Sequence, residues 1–288
     1  MKLNAYAKIN LALDVCGRLE NGYHAVRMVM QSVSLCDVVT MHRTSDGIVL
    51  SCSDQSLPCD GGNLAYRAAA IFLERTGIRG GVAIRLEKHI PAQAGLGGGS
   101  ADAAAVLRGM DALYQTHLPM DTLLAWGLEL GADVPFCLLG GTALAEGIGG
   151  CLTPLAGMPR TPVVLIKPEG GISTAWAYGI LDQMRPAPHA DVDAVVQCLD
   201  TPQRLAGRME NVFEPVVLPK FPAVGSCKRR LLELGANGAL MSGTGSAVFG
   251  LFSDGGTAEA ACRILLAEGM QAFLAYTVQP DSRAADKT

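Results

Sequence analysis

The chain has 288 residues, of which 49% are hydrophobic and 17% charged, and its formal net charge is −4. This length and apolar content support one large domain or two smaller ones, and the weak acidity argues against a general nucleic-acid or membrane-surface binder. Nine scattered cysteines without a CxxC pair, no membrane-length apolar run and no signal-peptide pattern predict a reduced cytoplasmic protein without a membrane partner.

The first predicted strand alternates between apolar and polar residues over positions 5–15. Its apolar side chains fall on one face, and Lys8 and Asn10 project together from the other. A solvated sheet face is an alternative explanation of this polar side. A polar turn over residues 17–23 leads into a second strand at 28–39, and a short third strand covers 49–52.

A glycine-rich segment lies between a predicted strand and a predicted helix. Asn63 precedes a helical pattern that stops at Gly77, and a strand runs from Val82 to Lys88. Four glycines then occupy five positions before a periodic helix that reaches Tyr114. Glycine lets backbone N–H groups surround an anion, and a helix N-terminus adds unpaired N–H groups, so this segment indicates a phosphate site.

We expect Ser100 to be the N-cap of that helix and Asp102 to lie in its first turn. The segment has no Gly-Lys-Ser or Gly-Lys-Thr ending, which excludes a Walker A loop, and its spacing is not G-x-G-x-x-G. A flexible turn without a ligand is the alternative.

The second half alternates strands and helices. After a helix at 121–130 that ends at Gly131, Asp133 lies near the start of another short element. Further strands are predicted at 142–145, 163–167, 238–241, 247–252 and 272–278, and helices at 173–184, 225–234 and 257–268. The Pro/Gly-rich segment 154–162 separates an expected N-terminal domain, 1–157, from a C-terminal domain, 158–288. Together these elements predict an α+β fold in two lobes.

Five motifs follow one another along the chain: Ala7–Leu11, Asn21–His24, Gly95–Ser100, Gly131–Phe136 and Met241–Gly245. In this order, and with Pro91 opening the pattern Pro-x-x-x-Gly-Leu-Gly, they resemble the GHMP kinases. The resemblance implies a ribosomal-protein-S5-domain-2-like N-terminal domain and a ferredoxin-like C-terminal domain. The motifs are most similar to the branch that uses ATP to phosphorylate the 2-hydroxyl of 4-diphosphocytidyl-2-C-methyl-D-erythritol in non-mevalonate isoprenoid biosynthesis.

The resemblance also implies roles for single residues. Asp133 would be the general base, assisted by Lys8, although from the sequence alone Asp133 also suits an N-cap and Lys8 a surface position. Tyr23 and His24 would recognise cytidine, although both could be ordinary turn residues. A second aromatic residue would cover the base, with Tyr178 as the candidate and Trp176 as its rival. The substrate-binding residues that the resemblance implies are Asn10, Tyr23, His24, Tyr178, Thr244 and Gly245.

The implied ATP contacts lie along the glycine-rich loop and at two positions before it. They are Asn63, Lys88, Pro91, Gly95, Leu96, Gly97, Gly98, Gly99, Ser100 and Ala101, with a solvated strand end as the alternative for Lys88. Kinase chemistry implies Mg²⁺. Because the wider family usually carries serines where Gly98 and Gly99 stand, the protein ligand of Mg²⁺ stays unassigned, with Ser100 and Asp102 as alternatives.

The expected partners are two small molecules, ATP and a cytidine diphosphate-linked polyol, and no nucleic acid. The sequence is compatible with a monomer or a homodimer. Two other functions stay open, namely a kinase of the same family with a different small substrate and a catalytically silent, ligand-sensing homologue.

Overall fold

The computed structural model describes residues 1–20 and 22–279, so Asn21 of the second motif lies outside the described residues. The chain forms two compact units. The first contains Met1–Ala7, Cys36–Ala92 and Gly97–Leu139, and the second contains Lys8–Leu35, Gln93–Leu96 and the chain from Gly140 onward. Two long strands, β1 (Lys2–Arg18) and β2 (His24–Thr44), contribute residues to both units.

The first unit packs helices on a sheet. Its further elements are β3 (Gly47–Cys52), α1 (Leu64–Thr76), β4 (Gly81–Glu87), α2 (Gly98–Tyr114), α3 (Met120–Leu130) and α4 (Val134–Leu139). Strand β4 pairs antiparallel with the second part of β2 and parallel with β3. Helix α2 approaches the sheet closely at Gly109, where a Cβ would lie 2.5 Å from Met41 Sδ and 2.8 Å from Leu3 Cδ1. This glycine therefore sets how closely α2 packs.

The second unit contains a four-stranded antiparallel sheet in the order β11-β7-β10-β9. With helices between β7 and β9 and between β10 and β11, this is the ferredoxin-like βαββαβ arrangement, as predicted. The elements are β5 (Thr142–Gly147), β6 (Cys151–Pro154), β7 (Pro162–Lys167), α5 (Thr174–Leu181), α6 (Val192–Val196), α7 (Pro202–Ala206), β8 (Glu210–Asn211), α8 (Glu214–Val217), α9 (Pro222–Glu233), β9 (Gly238–Met241), β10 (Val248–Leu251), α10 (Gly255–Ala267) and β11 (Gln271–Tyr276).

Two of the remaining strands of the second unit pair with the later part of β1 and the first part of β2, which belong to this unit. Strand β5 pairs antiparallel with β2 over Val26–Gln31 and with β6. The short strand β8 pairs parallel with β1, where Leu13 lies opposite Asn211. The α+β class is confirmed, and the domain boundary between 157 and 158 stays a prediction. Within the described residues, no helix has both the length and the apolar character that a membrane span requires.

Two predictions for the start of α2 are wrong. The N-cap is Gly97, with a left-handed φ of 70°, and α2 begins at Gly98, so Ser100 lies inside the helix. Asp102 consequently lies beyond the first turn, and it is buried. The reason is that glycine tolerates the left-handed conformation, which lets the loop close three residues earlier than a serine cap would.

Candidate functional site

In the second unit, the loop segment Gln93–Leu96 is held through its backbone. Its carbonyl groups accept hydrogen bonds from the Ala247 N–H at 3.1 Å, the Ser242 hydroxyl at 2.9 Å and the Lys8 N–H at 3.0 Å. Gly95 has a φ of 76°, and a Cβ on it would lie 2.1 Å from the Ser242 carbonyl oxygen. Only glycine fits this close contact between two backbones.

The turn at Ser242–Gly245 is fixed by Asn211, which the sequence analysis missed. The buried Asn211 side chain donates to the carbonyls of Met241 and Gly243, both at 2.8 Å, and accepts the Phe213 N–H at 2.9 Å. No spacing rule indicates this role in the sequence, because the two carbonyls that Asn211 binds lie 30 and 32 residues away.

The predicted substrate residues Thr244 and Gly245 lie in this turn. The Thr244 hydroxyl is 3.1 Å from the Thr174 hydroxyl at the start of α5. Gly245 has a φ of 90°, and a Cβ there would lie 2.7 Å from Met241 Sδ. Gly245 is therefore packed tightly against Met241, while Thr244 is half-buried.

Lys8 and Asn10 are buried rather than solvated, at 4% and 0% exposure, which contradicts the alternative of a solvated sheet face. Lys8 Nζ donates to Asn10 Oδ1 at 2.8 Å. A Cβ on Gly243 would lie 3.6 Å from the same Nζ, so the ammonium lies beside the turn. A buried ammonium next to a glycine turn is suited to an anionic group on a ligand.

His24 lies between a carboxylate and an aromatic ring in the second unit. Its Nε2 is 2.7 Å from Asp182 Oδ1, and its ring stacks on Tyr178 with centroids 4.5 Å apart. Because an ionised carboxylate only accepts hydrogen bonds, Nε2 carries a proton, and in the neutral tautomer of this geometry Nδ1 is an acceptor. Asp182 was not predicted, since 158 residues separate it from His24.

The aromatic candidates of this unit differ in exposure and in the rings that they contact. Tyr23 precedes β2 and is 65% exposed. Trp176, the rival of Tyr178, packs its ring against Phe221 with centroids 5.3 Å apart, whereas Tyr178 lies next to His24.

In the first unit, Asp133 directly precedes α4 and is half-buried. Its carbonyl accepts the Cys137 N–H at 3.1 Å, so the backbone here belongs to the helical turn. A Cβ on Gly131 would lie 4.0 Å from Ser100 Oγ. The segment that carries Asp133 therefore lies beside the N-terminal turn of α2.

The N-terminal turn of α2 is capped by Gly97, which has no side chain to accept from the backbone donors of that turn. The first N–H groups of a helix have no partner within the helix, which makes them suited to binding an anionic ligand. Gly98 is closely covered, since a Cβ would lie 3.1 Å from Ile90 Cγ2.

Asn63 is the N-cap of α1, accepting the Ala65 N–H at 2.9 Å and donating to the Pro58 carbonyl at 2.8 Å.

Lys88 is the centre of a buried ion cluster in the first unit. Its ammonium donates to Asp37 Oδ2 and, at 2.5 Å, to Asp102 Oδ2, and the three side chains are 8%, 0% and 3% exposed. The alternative of a solvated strand end is therefore wrong. Asp102 Oδ1 is buried and has no hydrogen-bond partner among the described residues.

Burial sets the protonation of this cluster. It raises the pKa of Asp102 to about 7, opposed by the Lys88 ammonium and assisted by the Asp37 carboxylate. For Lys88, burial alone would lower the pKa, but the carboxylates of Asp102 and Asp37 raise it instead. Near neutral pH, Lys88 is therefore a charged ammonium, and the carboxyl group of Asp102 is close to its own pKa.

The free energy of unfolding should carry a pH dependence that originates at Asp102. The folded protein keeps this proton up to a pH of about 7, whereas an unfolded chain releases it near about pH 4. The folded state binds more protons between these values, so its stability increases as the pH falls. As the pH falls through that range, the free energy of unfolding of the wild type should rise by roughly 2–4 kcal/mol relative to that of Asp102→Asn, whose side chain cannot titrate. Urea unfolding of both proteins across the pH range measures the difference, and curves that stay parallel would contradict it.

The described residues contain no cluster of three histidine, cysteine or acidic side chains that could hold a metal ion. Asp102 does not fit as a ligand, because one of its oxygens binds Lys88 and the whole carboxyl is buried. Ser100, in the first turns of α2, is the other alternative, and Asp133 lies two residues after Gly131, which approaches the Ser100 hydroxyl. This donor set suits a Mg²⁺ ion carried mainly by phosphate groups.

Two regions of the chain match known domain families. Residues 63–141 match the GHMP kinases N terminal domain, and residues 192–271 match the GHMP kinases C terminal domain. These regions contain the α2 N-terminus with Asp133 and the Asn211 and Ser242–Gly245 segments, respectively.

Relatives match over nearly the whole chain. The 4-diphosphocytidyl-2-C-methyl-D-erythritol kinase of Acetivibrio thermocellus is 43% identical over 256 residues, which cover 88% of this chain and 90% of that protein. The protein of the same name from Lachnospira eligens is 42% identical over 282 residues, covering 97% and 98%. A crystal structure of 4-(cytidine 5'-diphospho)-2C-methyl-D-erythritol kinase matches with a TM-score of 0.82 and 38% identity, covering 96% of this chain and 99% of that one. The chain therefore belongs to the 4-diphosphocytidyl-2-C-methyl-D-erythritol kinase family of the GHMP kinases, as its motifs predicted.

Proposed function

We propose that this protein transfers the γ-phosphoryl group of ATP to the 2-hydroxyl of 4-diphosphocytidyl-2-C-methyl-D-erythritol, in non-mevalonate isoprenoid biosynthesis. The observation that carries the proposal is the match, at 43% and 42% identity over most of the chain, to relatives named for this kinase activity. The buried Lys8 beside a glycine turn and the N-terminus of α2, whose N-cap Gly97 has no side chain, support the phosphate chemistry.

ATP binds, in this proposal, through backbone N–H groups at the α2 N-terminus, with the positive end of the helix facing the phosphates. Gly97 adopts the left-handed conformation that lets α2 begin at Gly98, and Gly98 lets Ile90 pack closely on this first turn. Lys88 acts through its ion cluster, and Asn63 fixes the start of α1. The residues proposed to form the ATP site are Asn63, Lys88, Pro91, Gly95, Leu96, Gly97, Gly98, Gly99, Ser100 and Ala101.

Asp133 accepts the proton of the attacking 2-hydroxyl. The hydroxyl oxygen forms its bond to the γ-phosphorus as the bond from that phosphorus to the β,γ-bridging oxygen breaks, and ADP leaves with the electron pair. Lys8 neutralises negative charge that spreads over the transferred group. Mg²⁺ would be held mainly by the ATP phosphates and would neutralise phosphate charge, and Ser100 and Asp133 are the candidate protein ligands.

The second unit recognises the cytidine substrate. With Nε2 donating to Asp182, Nδ1 of the neutral His24 tautomer suits the exocyclic amino group of cytosine, a donor that uracil lacks. Tyr23 and Tyr178 supply aromatic surface for the base. Asn10, Thr244 and Gly245 bind the polyol and diphosphate.

The test is ADP release with purified protein and 4-diphosphocytidyl-2-C-methyl-D-erythritol, compared with mevalonate, homoserine and galactose. We expect turnover with the cytidyl substrate alone, and inhibition by CDP but not by UDP. Equal turnover with another substrate would favour a different kinase of the same family. Binding of ATP without any turnover would favour a ligand-sensing homologue, and either result would refute the proposal.

A further inference from the structure

We propose that Asp37, Lys88 and Asp102 form a positioning device for the ATP phosphate loop, in which one buried ammonium ties the chain entering the loop to the helix leaving it. The inference rests on the proposed function, since it assigns these residues to the ATP step. Asp37 and Asp102 act through the loop backbone and touch no substrate.

Asp37 holds the entering chain. Its Oδ1 accepts the backbone N–H groups of His89, at 2.5 Å, and Ile90, at 2.8 Å. These two residues directly precede Pro91, where the loop begins. Hydrogen bonds to an ionised acceptor are about twice as strong as neutral ones, so a buried carboxylate fixes this backbone firmly.

Asp102 holds the leaving helix. It lies one turn after Gly98 on α2, and Lys88 connects its Oδ2 to Asp37 Oδ2. Ile90, whose N–H is bound by Asp37, also packs over Gly98, where a Cβ would lie 3.1 Å from Ile90 Cγ2. The cluster thus fixes the position of the first α2 N–H groups relative to the strand end that precedes the loop.

A purely stabilising role does not account for this arrangement. Apolar side chains of similar volume stabilise a protein interior as well as a buried ion pair does. Here, moreover, Asp102 keeps one buried oxygen without a partner among the described residues, which is unfavourable for stability. Geometric control of a phosphate site gives a reason for keeping this buried cluster.

The central experiment compares Asp102→Ala with Asp102→Asn. Alanine removes the link from Lys88 to α2 and leaves a neutral Asp37–Lys88 pair, whereas asparagine keeps an oxygen acceptor for Lys88. Asp102→Ala should raise KM for ATP by about tenfold and leave KM for the cytidyl substrate within about twofold, and Asp102→Asn should restore most of the ATP affinity. Calorimetry with a non-hydrolysable ATP analogue should show the same loss of affinity.

Two further variants complete the test. Asp37→Asn keeps an oxygen for the backbone donors but turns an amide donor toward Lys88, and it should show the same ATP-specific loss even if Asp102→Ala does not fold. Glu129→Gln is the matched control, because it removes an exposed ion pair with Arg75 in the same unit. Equal ATP-analogue affinity in wild type, Asp102→Ala and Asp37→Asn would overturn the inference. A wild type that binds no ATP analogue would instead refute the proposed function.

Discussion

Asp133→Asn is expected to lower kcat by about 10²–10⁴-fold while KM for both substrates changes by less than about threefold. An amide has the size of the carboxylate but cannot take the hydroxyl proton, so the loss falls on the chemical step. The backbone at this position is already fixed by the hydrogen bond from the Cys137 N–H to the Asp133 carbonyl, and the exchange leaves it intact. Steady-state kinetics with each substrate varied in turn measure the effect.

Asp121→Asn is the matched control for this experiment. Asp121 is an exposed acidic residue of the same unit and lies in the first turn of α3, whereas Asp133 directly precedes α4. Its replacement should leave kcat within about twofold of wild type. If Asp133→Asn keeps a kcat within about threefold of wild type, Asp133 is not the general base.

Gly95→Ala should lower the free energy of unfolding by at least about 3 kcal/mol and abolish ATP binding. The left-handed φ of 76° alone disfavours alanine by about 1–2 kcal/mol. The new Cβ would also meet the Ser242 carbonyl oxygen at 2.1 Å. That carbonyl cannot withdraw easily, because it accepts the Gly245 N–H at 3.0 Å while the Ser242 N–H donates to Ala247 at 2.9 Å.

Gly147→Ala separates the two contributions. Gly147 has a similar φ of 67°, but a Cβ there would meet no atom within 4 Å. Its replacement should lower stability by only about 1 kcal/mol and leave ATP binding unchanged. Urea unfolding and binding of an ATP analogue test both variants, and equal losses of stability would show that close contact at Gly95 contributes nothing.

Local patterns in the sequence were sufficient to predict most elements of the fold. The strict alternation in β1 and the order of strands and helices in the second half led to the correct α+β class. The start of α2 was predicted three residues too late, because serine is a common N-cap and the rule gives no weight to a left-handed Gly97.

The partners of the candidate site residues were beyond the reach of the sequence. Asp37 lies in a stretch that otherwise reads as an apolar strand, and its contacts with Lys88 and His89 span more than fifty positions. Asp182 meets His24 across 158 positions and Asn211 meets Gly243 across 32. Such contacts depend on how distant segments pack, which no spacing rule of a single sequence encodes.

The dual use of Lys8 limits where this chain can change length. Its N–H binds the Leu96 carbonyl while its ammonium binds Asn10, and five residues later Leu13 pairs with Asn211 on β8. An insertion or deletion of one residue between positions 8 and 13 would turn every following side chain to the opposite face. We therefore expect relatives to have no insertions or deletions in this stretch. Insertions and deletions should instead occur in exposed hairpin turns such as the one between β5 and β6.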